Sequence, residues 1–280
     1  MSVMNNMSAL YVVATPIGNL EDITLRALRI LGQVKLIAAE DTRKTRHLLK
    51  THGISTRLTS YHEHNKLTKL DYLLEQIQDG DVALVSEAGM PGLSDPGYEL
   101  IAAAIQRGIP VIPVPGPSSI VTALAVSGLP TDRFLYLGFL PRKKGQRRKF
   151  LESLVDQQAT LIALEAPHRL QQSLGDLVEV LGERRVAVCR ELTKMYEEIF
   201  RGTLSQARQH FSEPRGEFTL VIEGNRQQRP LAEEEIKAEL KRLRRQGTSG
   251  KEAVAQVATQ SGLSKREVYR LWLRIKAKGA

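Results

Sequence analysis

Thirteen residues of the chain, VSEAGMPGLSDPG (85–97), hold three glycines, two prolines and the carboxylates Glu87 and Asp95, with almost nothing to bury. Three other short stretches share that character: TPIGNLED (15–22), EDTRKTR (40–46) and PGPSS (115–119). Glycine and small hydroxyl residues leave the backbone open to close approach, and proline limits its freedom. Loops of this kind suit an adenosine-type ligand held by main-chain groups. Neither the G-x-G-x-x-G fingerprint nor the P-loop lysine pattern occurs, which disfavours phosphate-cradling nucleotide chemistry.

Apolar runs precede each of these stretches. ALYVVA (9–14), KLIAAE (35–40), DVALVS (81–86) and PVIPVP (110–115) read as buried strands. Between them DITLRALRIL (22–31), DTRKTRHLLKTHG (41–53) and PGYELIAAAIQRG (96–108) carry helical patterns. Asp22 is placed to cap the first helix, and Gly53 and Gly108 to stop the other two. Strand and helix alternating at this spacing predict an α/β domain with a parallel sheet, over residues 1–125. Ligands of such sheets bind beyond the carboxyl ends of the strands, where all four loops lie.

After SGLPTDRFLYLGFLPRKKG the pattern changes. ATLIALE (159–165), RRVAVCRE (184–191), EEIFRGT (197–203) and GEFTLVIEG (216–224) are strand-like, with fewer helices between them. They predict a second α/β domain of mixed sheet, over 126–227. NRQQRP (225–230) reads as a linker, and three helical patterns follow at 231–245, about 250–260 and 264–277. Ser249 with Glu252 and Ser264 with Glu267 are capping boxes. A tight turn between the last two helices gives the 228–280 segment a helix-turn-helix-like pattern.

The chain of 280 residues carries a formal net charge of +9, unevenly placed. RKKGQRRK (142–149) has six basic residues in eight, and the segment from Gln228 onward has 13 Lys+Arg against 6 Asp+Glu. Clustered cations are the footprint of a polyanion binder. The single cysteine, Cys189, rules out a disulfide framework, a cysteine-based zinc site and a CxxC redox pair. No apolar run approaches the length of a bilayer span, and the first residues lack signal-peptide features, so a cytoplasmic location is expected.

The stretches LYVVATPIGNLEDITLRAL, AEDTRKTRHLL, SYHEHN, LVSEAGMPGLSDPGYELI, IPVPGPSSIVTALAVSGL and LEAPHRL resemble, in order, the ribosomal RNA small-subunit methyltransferase I family, a branch of the tetrapyrrole-methylase (class III methyltransferase) superfamily. The similarity runs from about residue 9 to 224. It implies S-adenosylmethionine as cofactor, bound in a cleft between two α/β domains, and a homodimer. It also implies 2′-O-methylation of a cytidine ribose near the decoding centre of 16S rRNA, with the rRNA or the small ribosomal subunit as partner. The cofactor positions it implies are Ile17, Gly89, Pro91, Leu93, Ser94, Gly116, Ser118, Ser119, Glu165 and Ala166. No metal site is implied.

A ribose hydroxyl is a poor nucleophile while it keeps its proton, so a carboxylate or histidine is expected beside it. Asp41 and Glu87 are the first candidates, followed by His62 and Asp95; Asp41 and Asp95 are equally placed to cap helices. Arg43, Lys44 and Arg46, one loop from the cofactor, are candidates for the RNA backbone, and Arg142, Lys143, Lys144, Arg147 and Arg148 for an interdomain rim. Two other readings remain open at this level. One is a methyltransferase for a small tetrapyrrole; the other is a nucleic-acid-binding regulator with a metabolite-sensing α/β region.

Overall fold

The computed structural model describes residues 8–225, 233–261 and 263–277. The chain divides into two compact units at 224/225, and the first contains two sheets. In the first sheet β1 (Leu10–Val13), β2 (Leu36–Ala39), β3 (Leu58–Ser60), β4 (Val82–Val85) and β5 (Val111–Val114) run parallel in the order β3-β2-β4-β1-β5. Successive strand residues face opposite sides. Ile37 and Ala39 therefore pack with α1 (Leu25–Gln33) and α2 (Thr42–Thr51), while Leu36 and Ala38 pack with α3 (Leu70–Gln78) and α4 (Tyr98–Gln106). Helices on both faces explain why these strands are near-continuous apolar runs rather than alternating ones.

The chain then passes to a second sheet through α5 (Ser119–Ser127). Here β6 (Phe134–Phe139) pairs parallel with β7 (Thr160–Glu165). β8 (Arg185–Arg190), β9 (Glu198–Thr203) and β10 (Phe218–Ile222) add antiparallel ladders in the order β6-β7-β10-β8-β9. One face is covered by α6 (Lys144–Glu152), α7 (Pro167–Leu181) and α8 (Leu204–His210), around Leu161, Val188 and Leu220. The other face takes Ala123 and Leu124 of α5 against Ile162, Ala187 and Val221, joined by Ile17 from the first sheet's leading loop.

In the second unit α9 (Glu233–Arg245), α10 (Gly250–Ser261) and α11 (Lys265–Ala277) enclose their own core of Ile236, Leu240, Val257 and Val268. The Ser264–Glu267 capping box forms with both reciprocal bonds. Among the described residues no helix is long and apolar enough to cross a membrane.

The structure departs from the expected elements at four points. Asp22 ends a short 3-10 turn and does not cap α1. Ile23 and Thr24 are extended, and Thr24 accepts the capping bond from Ala27 N instead, at 3.1 Å. Asp95 caps nothing either: α4 starts at Tyr98 behind Gly97, which has no capping side chain. β6 was absent from the expected strands, because Gly138, at φ +64°, interrupts its register with β7. The boundary expected at 125/126 cuts through α5, a helix that packs on the second sheet. The boundary expected at 227/228 lies outside the described residues.

Candidate functional site

Because the first sheet is wholly parallel, the loops after β1, β2, β4 and β5 leave by one edge. The β1 loop is drawn tight against the second sheet's 191–197 loop: Asn19 N donates to Thr193 Oγ1 at 3.1 Å. Gly18 permits that approach, since a Cβ there would fall 2.4 Å from Lys194 Cγ and 2.8 Å from the Leu192 carbonyl. Thr15 and Gly89 exchange backbone bonds, fixing the β4 loop to the β1 loop. Gly89 sits at φ +83° to do so. The non-glycine residues with positive φ among those described, Ser94, Glu191 and Thr193, all lie on these facing loops. Backbone strain gathered in this way is characteristic of functional sites.

Between the loops and the second sheet is a cavity of about 390 Å³, within the range of small-ligand pockets. Of the expected cofactor positions, Ile17, Gly89, Leu93, Ser118, Ser119, Glu165 and Ala166 line it. Pro91, Ser94 and Gly116 do not. Pro91 is buried within its own loop. Gly116 serves packing, as a Cβ there would stand 3.0 Å from Ala14 Cβ. Ser94 turns instead to Tyr136 of β6, their hydroxyls 2.6 Å apart. Glu165 lines the cavity with its carboxylate already engaged by Ser173 Oγ (2.5 Å), Ala166 N (3.0 Å) and Arg169 (3.3 Å). Tyr136, Phe218 and Thr219 also line the cavity and were missed, because nothing in their strand text separates them from ordinary core.

The carboxylates divide sharply. Asp41 is the N-cap of α2, accepting from Arg43 N at 2.8 Å and Lys44 N at 3.3 Å. The Arg43 amide bond, followed by its guanidinium, holds the Asp41 carboxyl below the usual range. Glu87 is paired with the Lys44 ammonium. Asp95 has no cation partner among the described residues, and it lines the cavity with Glu40 and Glu87. Burial, reinforced by the Glu40 charge, pushes Asp95 up to about 7. His62 follows the edge strand β3 and lines neither this cavity nor its neighbour.

That neighbour, of about 590 Å³, shares Ile17, Glu87, Ala88 and Glu217 with the first and adds the cationic side chains of Arg43, Lys44 and Lys194. Arg46 is exposed further along α2. Arg142, Lys143 and Lys144 are exposed at the start of α6, and Arg148 is partly shielded, paired with Glu179 and Asp176. Arg147 is not a rim residue. Its side chain is 1% exposed, 2.6 Å from Asp176, and it also donates to the Pro141 and Arg142 carbonyls. The helical period turns this one member of the basic run inward.

A family model described as Tetrapyrrole (Corrin/Porphyrin) Methylases matches residues 9–208. Among solved structures, the methyltransferase CobJ superposes with a TM-score of 0.60 at 17% identity, over 78% of this chain and 95% of that one. Uroporphyrin-III C-methyl transferase from Thermus thermophilus, complexed with S-adenyl homocysteine, gives 0.56 at 21% identity, over 77% and 97%. Likeness at these identities shows the fold. Fold and family together define a class III methyltransferase, dependent on S-adenosylmethionine. Ribosomal RNA small subunit methyltransferase I of Halalkalibacterium halodurans is 49% identical over 278 residues, 96% of each chain. The protein of the same name from Escherichia coli O157:H7 is 44% identical over 275 residues, 95% of each. The chain belongs to the ribosomal RNA small subunit methyltransferase I family.

The cavity fits the cofactor's three chemical parts. Its apolar wall of Ile17, Leu164 and Phe218 suits an adenine, and Glu40, Glu87 and Asp95 suit a sulfonium. The first turn of α5, whose N-cap Ser118 makes no side-chain capping bond, offers N–H groups to a carboxylate.

Proposed function

We propose that the protein methylates the ribose 2′-hydroxyl of a cytidine near the decoding centre of 16S rRNA. The observation that carries this reading is the junction at Glu87 of the acid-lined cavity with a second one, where Arg43, Lys44 and Lys194 stand in ion pairs with Asp41, Glu87 and Glu217. The near-full-length relatives named for ribosomal RNA support this substrate over a small tetrapyrrole.

S-adenosylmethionine supplies an electrophilic methyl group on a positively charged sulfur. Alignment of the acceptor oxygen is then the protein's main task. Arg43, Lys44 and Lys194 hold phosphates flanking the target nucleotide. Asp95 accepts the hydroxyl proton, being a cavity carboxylate with no cation partner among the described residues and poised near neutral pH. Glu87, locked to Lys44, orients that lysine, and Asp41 holds the start of α2.

The protein is further proposed to act in the cytoplasm as a homodimer. The edge strand β6 supports the dimer, exposing Phe134 and Leu135 at 44% and 37%. Sedimentation of the purified protein tests it. The function is tested by transfer of labelled methyl to small subunits lacking the modification, with naked 16S rRNA in parallel. Label in the ribose of one fragment is the expected result; no label in either, with cofactor binding intact, would overturn the reading.

A further inference from the structure

The C-terminal unit carries a groove of its own, of about 750 Å³, walled by Arg244 of α9, Lys251 of α10, and Lys265, Arg266, Tyr269 and Trp272 of α11. No carboxylate lines it. The acids nearby are committed elsewhere: Glu252 to Ser249, Glu267 to Ser264, Glu239 to Arg242, and Glu233 and Glu234 to Lys237. Among the described residues Lys251, Lys265 and Arg266 have no ion-pair partner. Those three cations, with Arg244 held by the Ile275 carbonyl at 3.3 Å, face one groove, and two aromatic rings stand among them.

The rings are placed differently. Tyr269 is 50% exposed, with part of its ring open to solvent. Trp272 is partly buried against the unit's core, with its ring over the start of α10. Gly250 makes room for it, since a Cβ there would lie 2.8 Å from Trp272 Nε1. Cations beside an open aromatic face are the combination that holds a polyanion whose bases are free to stack.

A helix-turn-helix ordinarily presents its second helix to the wide major groove of DNA. A-form RNA offers no such entry, because its major groove is deep and too narrow for side-chain readout. We propose that this groove binds a single-stranded stretch of RNA, with a base stacked on Tyr269 beside Trp272 and phosphates on Lys251, Lys265 and Arg266. The proposal rests on the reading of the substrate as ribosomal RNA and adds a second contact, on the tail, to the one at the cofactor cleft. The unit thereby selects unpaired segments, although its helix order is that of a duplex reader.

Trp272 is the only tryptophan of the chain, so its emission reports on this groove alone. The full-length protein is titrated with a short oligouridine and with an RNA duplex of equal length. The oligouridine is expected to quench Trp272 emission, with the duplex at least about tenfold weaker. Tyr269→Ala, at an exposed position, is expected to weaken oligouridine binding by about ten- to a hundredfold. Lys265→Glu combined with Arg266→Glu is expected to weaken it and flatten its salt dependence. Circular dichroism checks that the helices persist. Silence of Trp272, an equal response to duplex, an equal response to polyglutamate, or indifference to both variants would each overturn the proposal. Methyl transfer to small subunits is measured on the same wild-type preparation. Transfer with a silent Trp272 defeats the groove alone, and quenching without transfer defeats the methylation reading alone.

Discussion

The hydroxyl of Tyr136 on β6 lies 2.6 Å from that of Ser94 in the β4–α4 loop, so one hydrogen bond ties the second sheet to the loop that walls the acid-lined cavity. Ser94 holds a φ of 67° there, which a non-glycine residue adopts at some cost. Tyr136→Phe removes the bond and keeps the ring. Loss of one such bond is worth about 1 kcal/mol, so S-adenosylmethionine affinity should fall by about two- to tenfold, measured by calorimetry. Ser94→Ala should match it, and the double variant should be no worse than either single one. Additive losses would show that the two hydroxyls act separately.

Asp95→Asn should lower kcat by about 10²- to 10⁴-fold with a much smaller change in cofactor affinity. In the wild type, log kcat should rise with pH up to about 7 and then level, as Asp95 loses its proton. The variant should lack that limb. A pH profile unchanged by the substitution would remove Asp95 from the reaction.

The same group makes a stability prediction of definite sign. Its pKa is raised in the fold by burial, so between its unfolded value and about 7 the native state binds the extra proton and stability falls as pH rises. Asn cannot ionise. Asp95→Asn should therefore melt higher than wild type, by a margin that grows from about pH 4 to 7 and is constant above. A margin independent of pH would contradict the buried-carboxylate account.

Arg147 and Asp176 are both nearly inaccessible, and breaking such a pair strands a buried charge. Arg147→Ala should cost about 3–5 kcal/mol in urea unfolding. Arg147→Met with Asp176→Leu should recover most of that loss and leave the salt dependence of RNA binding unchanged. A changed salt slope in the folded double variant would return Arg147 to the RNA-binding surface.

The exposed cations should behave oppositely. Arg142, Lys143 and Lys144, changed together to Ala, should leave stability and cofactor affinity nearly intact. They should weaken RNA binding and reduce its salt slope by about 2. Filter binding across a salt series reads this directly. Arg43→Ala should act likewise, with a slope change of about 0.7 to 0.9.

Much of this architecture was legible in the chain. The runs around Val12, Ile37, Leu84 and Val114 announced parallel strands because both faces of that sheet are covered, and the Gly- and Pro-rich stretches after them became the cavity wall. Asp41 was readable as a cap from its place before Thr42. Less legible were elements whose role depends on a distant partner. β6 carries no apolar alternation to read, because Gly138 interrupts it and its edge position leaves aromatics exposed, and Tyr136 gains its meaning only from Ser94. Arg147 is indistinguishable from its neighbours in RKKGQRRK until α6 is docked on α7.

By itself the sequence determined the kinds of element, the edge of the sheet where a ligand must bind, the family and the basic character of the tail. Those follow from local periodicity, turn chemistry and charge, which the chain carries residue by residue. Only the tertiary structure decided which carboxylate is free. Asp41, Glu87 and Asp95 are equivalent as letters. One caps a helix, one meets Lys44, and one is left half-buried among like charges, because desolvation and pairing are properties of the space between elements.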